Sequence, residues 1–241
     1  MDATLITAHS DKEGAAPTFK KGYGFHPLGA WVANTAESLA MLLRPGNAGS
    51  NTVTDHLEVL GEALAQIPAR HRSKLLVRVD GAGATHDLVK YLQSLSARRR
   101  TVLFTCGWMI TDADEAAIRE LPASAWQAAV DQDGTVQEET AAAEITHLTS
   151  RAGNWPDGLR WIVRRTKPSR RQMSNLTPFE KATGWRYSII VTNVPATGIT
   201  DVPGTHHPQF IDVLHREHAV VEDRVRTNKA MGLRNLPRPG R

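Results

Sequence analysis

The spacing of apolar residues follows two periods along the chain, and each period predicts a different kind of element. Short runs that are mostly apolar, or that alternate apolar with polar residues, predict strands at 2–7, 26–34, 38–43, 74–80, 100–110, 159–166 and 185–192. Apolar residues three and four positions apart predict helices that begin at 51 or 52, 86, 111 and 210. The first three end near 67, 95 and 121, and the last ends before Gly232, which stands where a C-cap glycine belongs. The polar, glycine-containing segment 9–24 is predicted to be a loop.

The order of these elements indicates an α/β fold. Strands and helices alternate through the first 130 residues, and the pattern then changes to strand-like pieces, turns and the basic loop 167–172. Segment 136–148 fits neither period clearly. We therefore divide the chain into a first part at 1–130, a β-rich insertion at 131–193 and a C-terminal part at 194–241 that contains the last helix.

The last predicted helix, within the stretch 210–236, carries a polar stripe beside its apolar face. On a helical wheel one arc of roughly 80° holds a carboxylate among basic side chains, namely His215, His218, Glu222, Arg226 and Lys229. A carboxylate placed among cations at the edge of a core can bind a metal while the cations bind an anion. The same pattern also fits a solvated charged face supported by pairs four residues apart.

Three carboxylates lie on three separate elements of the predicted α/β core. Asp2 begins the first strand, Asp80 ends a buried strand before a glycine-containing turn, and Glu222 lies in the last helix. Such a set suits divalent metal ions in phosphoryl transfer, because Mg²⁺ prefers hard oxygen ligands and two ions about 4 Å apart can stabilise an in-line displacement. A turn or capping aspartate is the alternative for Asp80. The glycines after Asp80 lack the third glycine of a dinucleotide site.

Composition narrows the setting of the protein. The chain has 241 residues, 29 basic against 25 acidic, a net charge of +4 and a hydrophobic content of 41%. This mild basic excess is compatible with an anionic polymer as partner. The single cysteine, Cys106, excludes an internal disulfide and fits a reducing cytoplasm. Neither a signal peptide nor an apolar run of membrane-spanning length is found, so we expect a cytoplasmic protein with no membrane partner.

Two other kinds of chemistry are alternatives to the carboxylate site. A zinc site is an alternative because His215, His218 and Glu222 share one helical face, but the chain has no His-Glu-x-x-His sequence. A hydrolase is disfavoured because Gly-x-Ser-x-Gly is absent and Cys106 lies within a predicted strand.

Several sequence motifs in the chain resemble those of a known family, the DDE transposases of bacterial insertion sequences, in the group-one branch with a β-strand insertion before the last acidic residue. The matching pieces are D-A-T from residue 2, H-S-D-K-E-G-A-A-P-T-F-K-K-G-Y-G-F-H-P-L from 9, L-L-R-P-G-N-A from 42, V-D-G-A-G-A-T-H-D from 79, V-T-N from 191 and E-D-R-V-R-T-N-K-A-M-G-L-R-N-L-P from 222. Together they span nearly the whole chain.

The resemblance implies a ribonuclease H-like mixed sheet flanked by helices, with Asp2, Asp80 and Glu222 as the catalytic and metal-binding triad. It implies two Mg²⁺ ions, for which Mn²⁺ can substitute. It also implies cleavage and transfer of DNA strands at insertion-sequence ends, with transposon ends and target DNA as partners and a homodimer in a synaptic complex. His215, His218, Arg226 and Lys229 are then expected to bind DNA.

The chain also departs from the family pattern. The family helix has Tyr and Arg at the positions of His215 and His218, whereas Glu222 and Lys229 keep the family spacing. Family members carry a DNA-binding region before the first aspartate and continue beyond the Leu-Pro at 236–237, so we expect a chain truncated at both ends. The alternative function is therefore a catalytically inactive remnant that only binds DNA.

Overall fold

The structure, a computed structural model, describes residues 1–8, 12–49, 52–81 and 85–216. Its α-helices are α1 (Val53–Gln66), α2 (His86–Ser94), α3 (Asp112–Glu120), α4 (Pro178–Thr183) and α5 (Pro208–Arg216). Its strands are β1 (Asp2–Ala3), β2 (Ile6–Thr7), β3 (Ala16–Pro17), β4 (Tyr23–Phe25), β5 (Leu28–Trp31), β6 (Ser38–Leu42), β7 (Lys74–Val79), β8 (Thr101–Trp108), β9 (Gln127–Val130), β10 (Val136–Glu144), β11 (Arg160–Thr166) and β12 (Arg186–Thr192).

A six-stranded mixed sheet with the order β7-β8-β12-β11-β10-β9 forms the centre of the fold. The pair β7 and β8 is parallel, and the other neighbours are antiparallel. The three-stranded sheet β1-β5-β6 continues it, because the nitrogen of Met1 donates to the Arg78 carbonyl at 2.7 Å and the Asp80 nitrogen donates to the Met1 carbonyl at 3.5 Å. These bonds flank Val79 as in parallel strands, so β1 lies beside β7.

Helices cover the six-stranded sheet on both sides, and the two sides differ in size. On the side that we call the first face, α1, α2 and α3 pack over a large apolar core that includes Val79, Phe104, Trp161 and Ile189. On the other side, the second face, α5 packs over a small core of Ala142, Ile162, Ile190, Val194 and Ile211. Side chains of successive residues in a strand point to opposite faces, which explains why neighbours such as Ile189 and Ile190 belong to different cores.

The predicted α/β class is confirmed, and the mixed sheet flanked by helices agrees with a ribonuclease H-like fold. The hairpin of β5 and β6 and the first three helices lie where the sequence predicts them. The single strand predicted at 2–7 is wrong: β1 pairs with β5, whereas β2 pairs with β4 in a separate small sheet. The predicted loop 9–24 contains β3 and the start of β4.

The strands of the predicted insertion continue the central sheet, because β12 pairs with β8 along four residue pairs. The limits 131–193 remain a prediction. Helix α4, within this stretch, was not predicted. Its sequence signals were present, since Thr177 and Glu180 form a capping box, Pro178 occupies the first turn, and Gly184 ends the helix with φ 72°.

Among the described residues, helices are either too short or too polar to span a lipid bilayer.

Candidate active site

Asp2 and Asp80 lie side by side on the second face. Met1 and Val79 are opposite each other in the β1–β7 pair, and both are buried in the core of the first face. The next residue in each strand therefore points to the second face, and the backbones of adjacent strands are about 4.8 Å apart. Two aspartates that are 78 positions apart in the sequence are in this way brought to neighbouring positions.

The same local hydrogen bond orients each of these two carboxylates. The amide nitrogen of Ala3 donates to Oδ1 of Asp2 at 2.7 Å, and the amide nitrogen of Gly81 donates to Oδ1 of Asp80 at 2.7 Å. Asp80 is exposed and Asp2 is partly exposed. Both carboxylates are therefore held at the edge of the sheet, where a ligand in solvent can reach Asp80.

His215 of α5 packs against β8 beside this pair. Its Nδ1 lies 3.0 Å from Oγ1 of Thr105. Burial lowers the pKa of His215 to about 4, and the carboxylate of Asp80 offsets only part of this effect. The imidazole is neutral at pH 7, so His215 can contact an anion by a hydrogen bond but adds no positive charge. Its assignment to DNA binding remains a prediction.

Two glycines make this close packing possible. A Cβ atom at Gly107 would lie 2.6 Å from Nε2 of His215, and a Cβ atom at Gly81 would lie 2.9 Å from the Gly107 carbonyl oxygen. Glycine inside a strand often marks such a close approach. Gly107 was not identified as part of the site from the sequence, although a glycine within an otherwise apolar strand was the available signal.

The structure thus brings together three of the predicted site residues, Asp2, Asp80 and His215. Glu222, His218, Arg226 and Lys229 lie outside the described residues. Within 1–8, 12–49, 52–81 and 85–216, the structure contains no group of three or more histidine, cysteine or acidic side chains placed to hold a metal ion.

A ring of charged and polar side chains attaches α5 to the sheet. Asp212 is fully buried, with Arg216 Nε 2.9 Å from its Oδ2 and Arg164 Nε 3.1 Å from its Oδ1. The contact with Arg164 is a close ion pair without hydrogen-bond geometry. Arg164 reaches Gln137 at 3.3 Å, Gln137 reaches Asp131 at 2.6 Å, and Arg216 contacts Asp131 at 3.3 Å, which closes the ring.

This ring was not predicted, although Asp212 and Arg216 are spaced as a helical ion pair. Its consequence for the site is positional. His215 lies between the two ring members of α5, so the ring fixes the helix that carries the imidazole to β8.

Two of the quoted motifs have structural roles. In V-T-N, Asn193 accepts from the Phe104 amide at 2.8 Å and donates to the Val102 carbonyl at 2.9 Å, which extends the attachment of β12 to β8. In L-L-R-P-G-N-A, the buried Arg44 contacts Asp55 of α1 at 3.0 Å and joins the end of β6 to that helix.

The donors of the site suit a hard divalent cation. Carboxylate oxygens are the ligands that Mg²⁺ and similar ions prefer, and Asp2 and Asp80 supply them from adjacent strands. Cys106, the nearest candidate for thiol chemistry, is buried, and burial raises its pKa to about 12, so it is an inert thiol.

Comparison with protein families gives one result for almost the whole chain. The model of the transposase DDE domain, group 1, matches residues 1–239. No curated protein matches the chain. The family supports a transposase function in general, with DNA as the substrate and divalent metal ions as the general cofactor class.

Proposed function

We propose, from the premise that the chain belongs to the transposase DDE domain group 1 family, that it cleaves and transfers DNA strands at the ends of an insertion sequence. The observation that carries the proposal is the placement of Asp2 and Asp80 next to each other at one edge of the second face. Glu222 is proposed as the third carboxylate.

The three carboxylates would hold two Mg²⁺ ions, for which Mn²⁺ can substitute. When bound, such ions supply charge stabilisation and activate an attacking hydroxyl. The chain itself holds Asp2 and Asp80 by the neighbouring amides of Ala3 and Gly81. The imidazole of His215 covers the adjoining surface of β8, where it packs against Gly107 and contacts Thr105.

The experiment measures metal-dependent nicking of supercoiled plasmid DNA together with DNA binding. Loss of one carboxylate removes several kcal/mol of stabilisation, so Asp80→Asn, Asp2→Asn and Glu222→Gln are each expected to lower the nicking rate by about a thousandfold. Binding of a duplex in Ca²⁺ should change little.

Asp157→Asn is the matched control, because this exposed aspartate lies in a turn outside the site. Nicking at the wild-type rate in Asp80→Asn would refute the assignment. Wild-type protein that binds DNA but never nicks it with Mg²⁺ or Mn²⁺ would instead support the inactive DNA-binding remnant.

His218, Arg226 and Lys229 are proposed to contact phosphates near the carboxylates, with His215 as a neutral neighbour. Each phosphate contact releases counterions, so Lys229→Ala should lower the salt slope of DNA binding by roughly one unit. Arg224→Ala is the control, because Arg224 points away from this arc on a helical wheel. Equal slopes for the two variants would indicate a solvated charged face.

A homodimer that brings two transposon ends together is also proposed. Light scattering of the protein with and without end-sequence duplexes tests it, with a doubling of mass as the expected result.

A further inference from the structure

We propose that a second surface, built from tryptophans and cations at the end of β11, binds the phosphate backbone of DNA. We call it the Trp–Arg surface and define it by Trp126, Arg165, Lys167 and Trp185. The proposal rests on the proposed function, because it assigns a further contact for the same DNA.

The central feature of this surface is an arginine between two indole rings. The guanidinium carbon of Arg165 lies 4.1 Å from the ring centroid of Trp126 and 4.7 Å from that of Trp185. A second cation contacts Trp185: Lys167 Nζ lies 4.2 Å from its ring centroid. Stacking on aromatic faces holds a guanidinium in place while its N–H groups at the edge remain directed outward.

The three arginines of β11 differ in their partners. Arg160 contacts Glu144 at 2.8 Å, and Arg164 contacts Asp212 at 3.1 Å. Arg165 has no ion pair with a carboxylate within the described part of the chain, and its buried Nε has no hydrogen-bond acceptor there. Partial burial of a cation without an anion costs free energy. An external anion that pairs with Arg165 is therefore expected to bind more tightly.

Further exposed cations surround this arginine. They come from the loop after β11 and from the start of β12, and they are Lys167, Arg170, Arg171 and Arg186. Thr166 pairs with Arg186, so the end of β11 and the start of β12 lie side by side. Glu138 and Glu139 of β10 are close in the sheet, but neither forms an ion pair with these cations in the described residues.

Sheet topology places the Trp–Arg surface toward the same edge as the carboxylates, but on the first face, whereas Asp2 and Asp80 lie on the second. β12 is antiparallel to β8 and β11 is antiparallel to β12, so the carboxyl ends of β7, β8 and β11 meet at one edge. Three strand spacings separate β7 from β11, which is roughly 14 Å. Val79 is level with Trp161 through the paired strands, so Lys167 also lies about 16 Å farther along the strand direction than Asp80. The two positions are roughly 20 Å apart, about six base pairs at 3.4 Å each, and a duplex that contacts both passes around this edge of the sheet.

A phosphate backbone fits this surface better than an acidic protein does. A planar guanidinium binds phosphate oxygens through two parallel hydrogen bonds, and lysine and arginine in a flexible loop contribute point charges along a strand. The exposed cations that follow β11 and begin β12 suit an anion that continues for several charges, as DNA does.

The first experiment measures duplex affinity against salt concentration in Ca²⁺. Lys167→Ala/Arg171→Ala removes two exposed cations and should lower the salt slope by nearly two units. Arg98→Ala/Arg99→Ala is the control, because these exposed arginines precede β8 and lie at the opposite edge. Equal slopes in both double variants would overturn the proposal, and so would an equal loss of poly-glutamate binding and DNA binding.

The second experiment uses cross-linking, because Cys106 is buried and does not compete. Lys167→Cys should form a disulfide with DNA that carries a thiol tethered to its backbone, and Arg99→Cys should not. Failure of Lys167→Cys to cross-link while the full chain binds the duplex would overturn the Trp–Arg surface alone. Loss of nicking in Asp80→Asn tests the proposed function separately.

Discussion

The two faces of the central sheet are covered by different means. The first face is covered by α1, α2 and α3 over a continuous apolar core, whereas the second is covered by α5 over five buried apolar residues and the ring around Asp212. The candidate carboxylates and His215 belong to the second face. The fold thus places its main apolar core behind the site and keeps a smaller, more polar attachment beside it.

Within the part of the chain that the structure describes, each face contains one fully buried aspartate, and their surroundings differ. Asp114 of α3 accepts hydrogen bonds from Thr111, Thr149 and Arg151, the last at 2.8 Å. Asp212 of α5 depends mainly on ion pairs with two arginines. Burial raises the pKa of Asp212 and lowers that of Arg164, so for both partners desolvation outweighs their mutual attraction. The ring therefore positions α5 more than it stabilises the protein.

The largest expected effect is on the free energy of unfolding, and a matched pair of substitutions in β12 compares the two cores. Ile189 is buried in the first core and Ile190 in the second. Ile189→Ala should lower the free energy of unfolding by about 4 kcal/mol and Ile190→Ala by about 2–3 kcal/mol, because the small core can relax around the cavity. Urea denaturation measures both. Equal losses would show that the two faces are packed with equal rigidity.

A smaller effect is expected when the ring is opened. Asp212→Ala leaves Arg164 and Arg216 without their shared carboxylate, and because both arginines are partly exposed we expect a loss of about 2 kcal/mol. Asp131→Ala is the control: this ring member is half exposed, and its loss should cost under about 1 kcal/mol.

Replacing the ionic part of the ring by apolar residues separates stability from position. Asp212→Leu/Arg164→Met/Arg216→Met should recover much of the unfolding free energy, as buried pairs replaced by apolar groups often do. DNA nicking should not recover, because α5 is no longer fixed in one orientation. Full recovery of both would show that the ring has no positioning role.

The smallest effect is a pH dependence that arises on the side of α1. His56 is buried, and burial lowers its pKa, with the hydrogen bond to the Thr52 carbonyl offsetting part of this. In the unfolded chain this histidine binds a proton near pH 6.5, whereas in the folded chain it binds one only at lower pH. The free energy of unfolding therefore decreases as the pH falls below about 6.5. Asp212 has the opposite sign, because its raised pKa makes its contribution fall as the pH rises.

Urea denaturation between pH 7.5 and 5 tests this assignment. His56→Gln should flatten the fall in unfolding free energy relative to wild type. The same pH slope in the two proteins would contradict a role for His56. The slope that remains comes from other buried groups whose pKa is lowered, namely His26, His215 and the amino group of Met1.

Much of the fold was predictable because its elements have strong local signals. The apolar run of β7 and the cap at Thr85, which accepts from the Leu88 amide, mark a strand and a helix at their observed places. The split of 2–7 into β1 and β2 was not predictable, because both halves have the same strand propensity and differ only in their partners.

The sequence by itself determined most of the strands and helices, the aspartate at the end of β7 and the family motifs, because periodicity and caps depend on residues a few positions apart. Tertiary structure decided that Met1 aligns with Val79, which places Asp2 beside Asp80. It also decided that Asp212 is buried among arginines and that Arg165 lies between tryptophans. These contacts join residues that are far apart in the chain. They are determined by strand register and packing, which no local sequence pattern encodes.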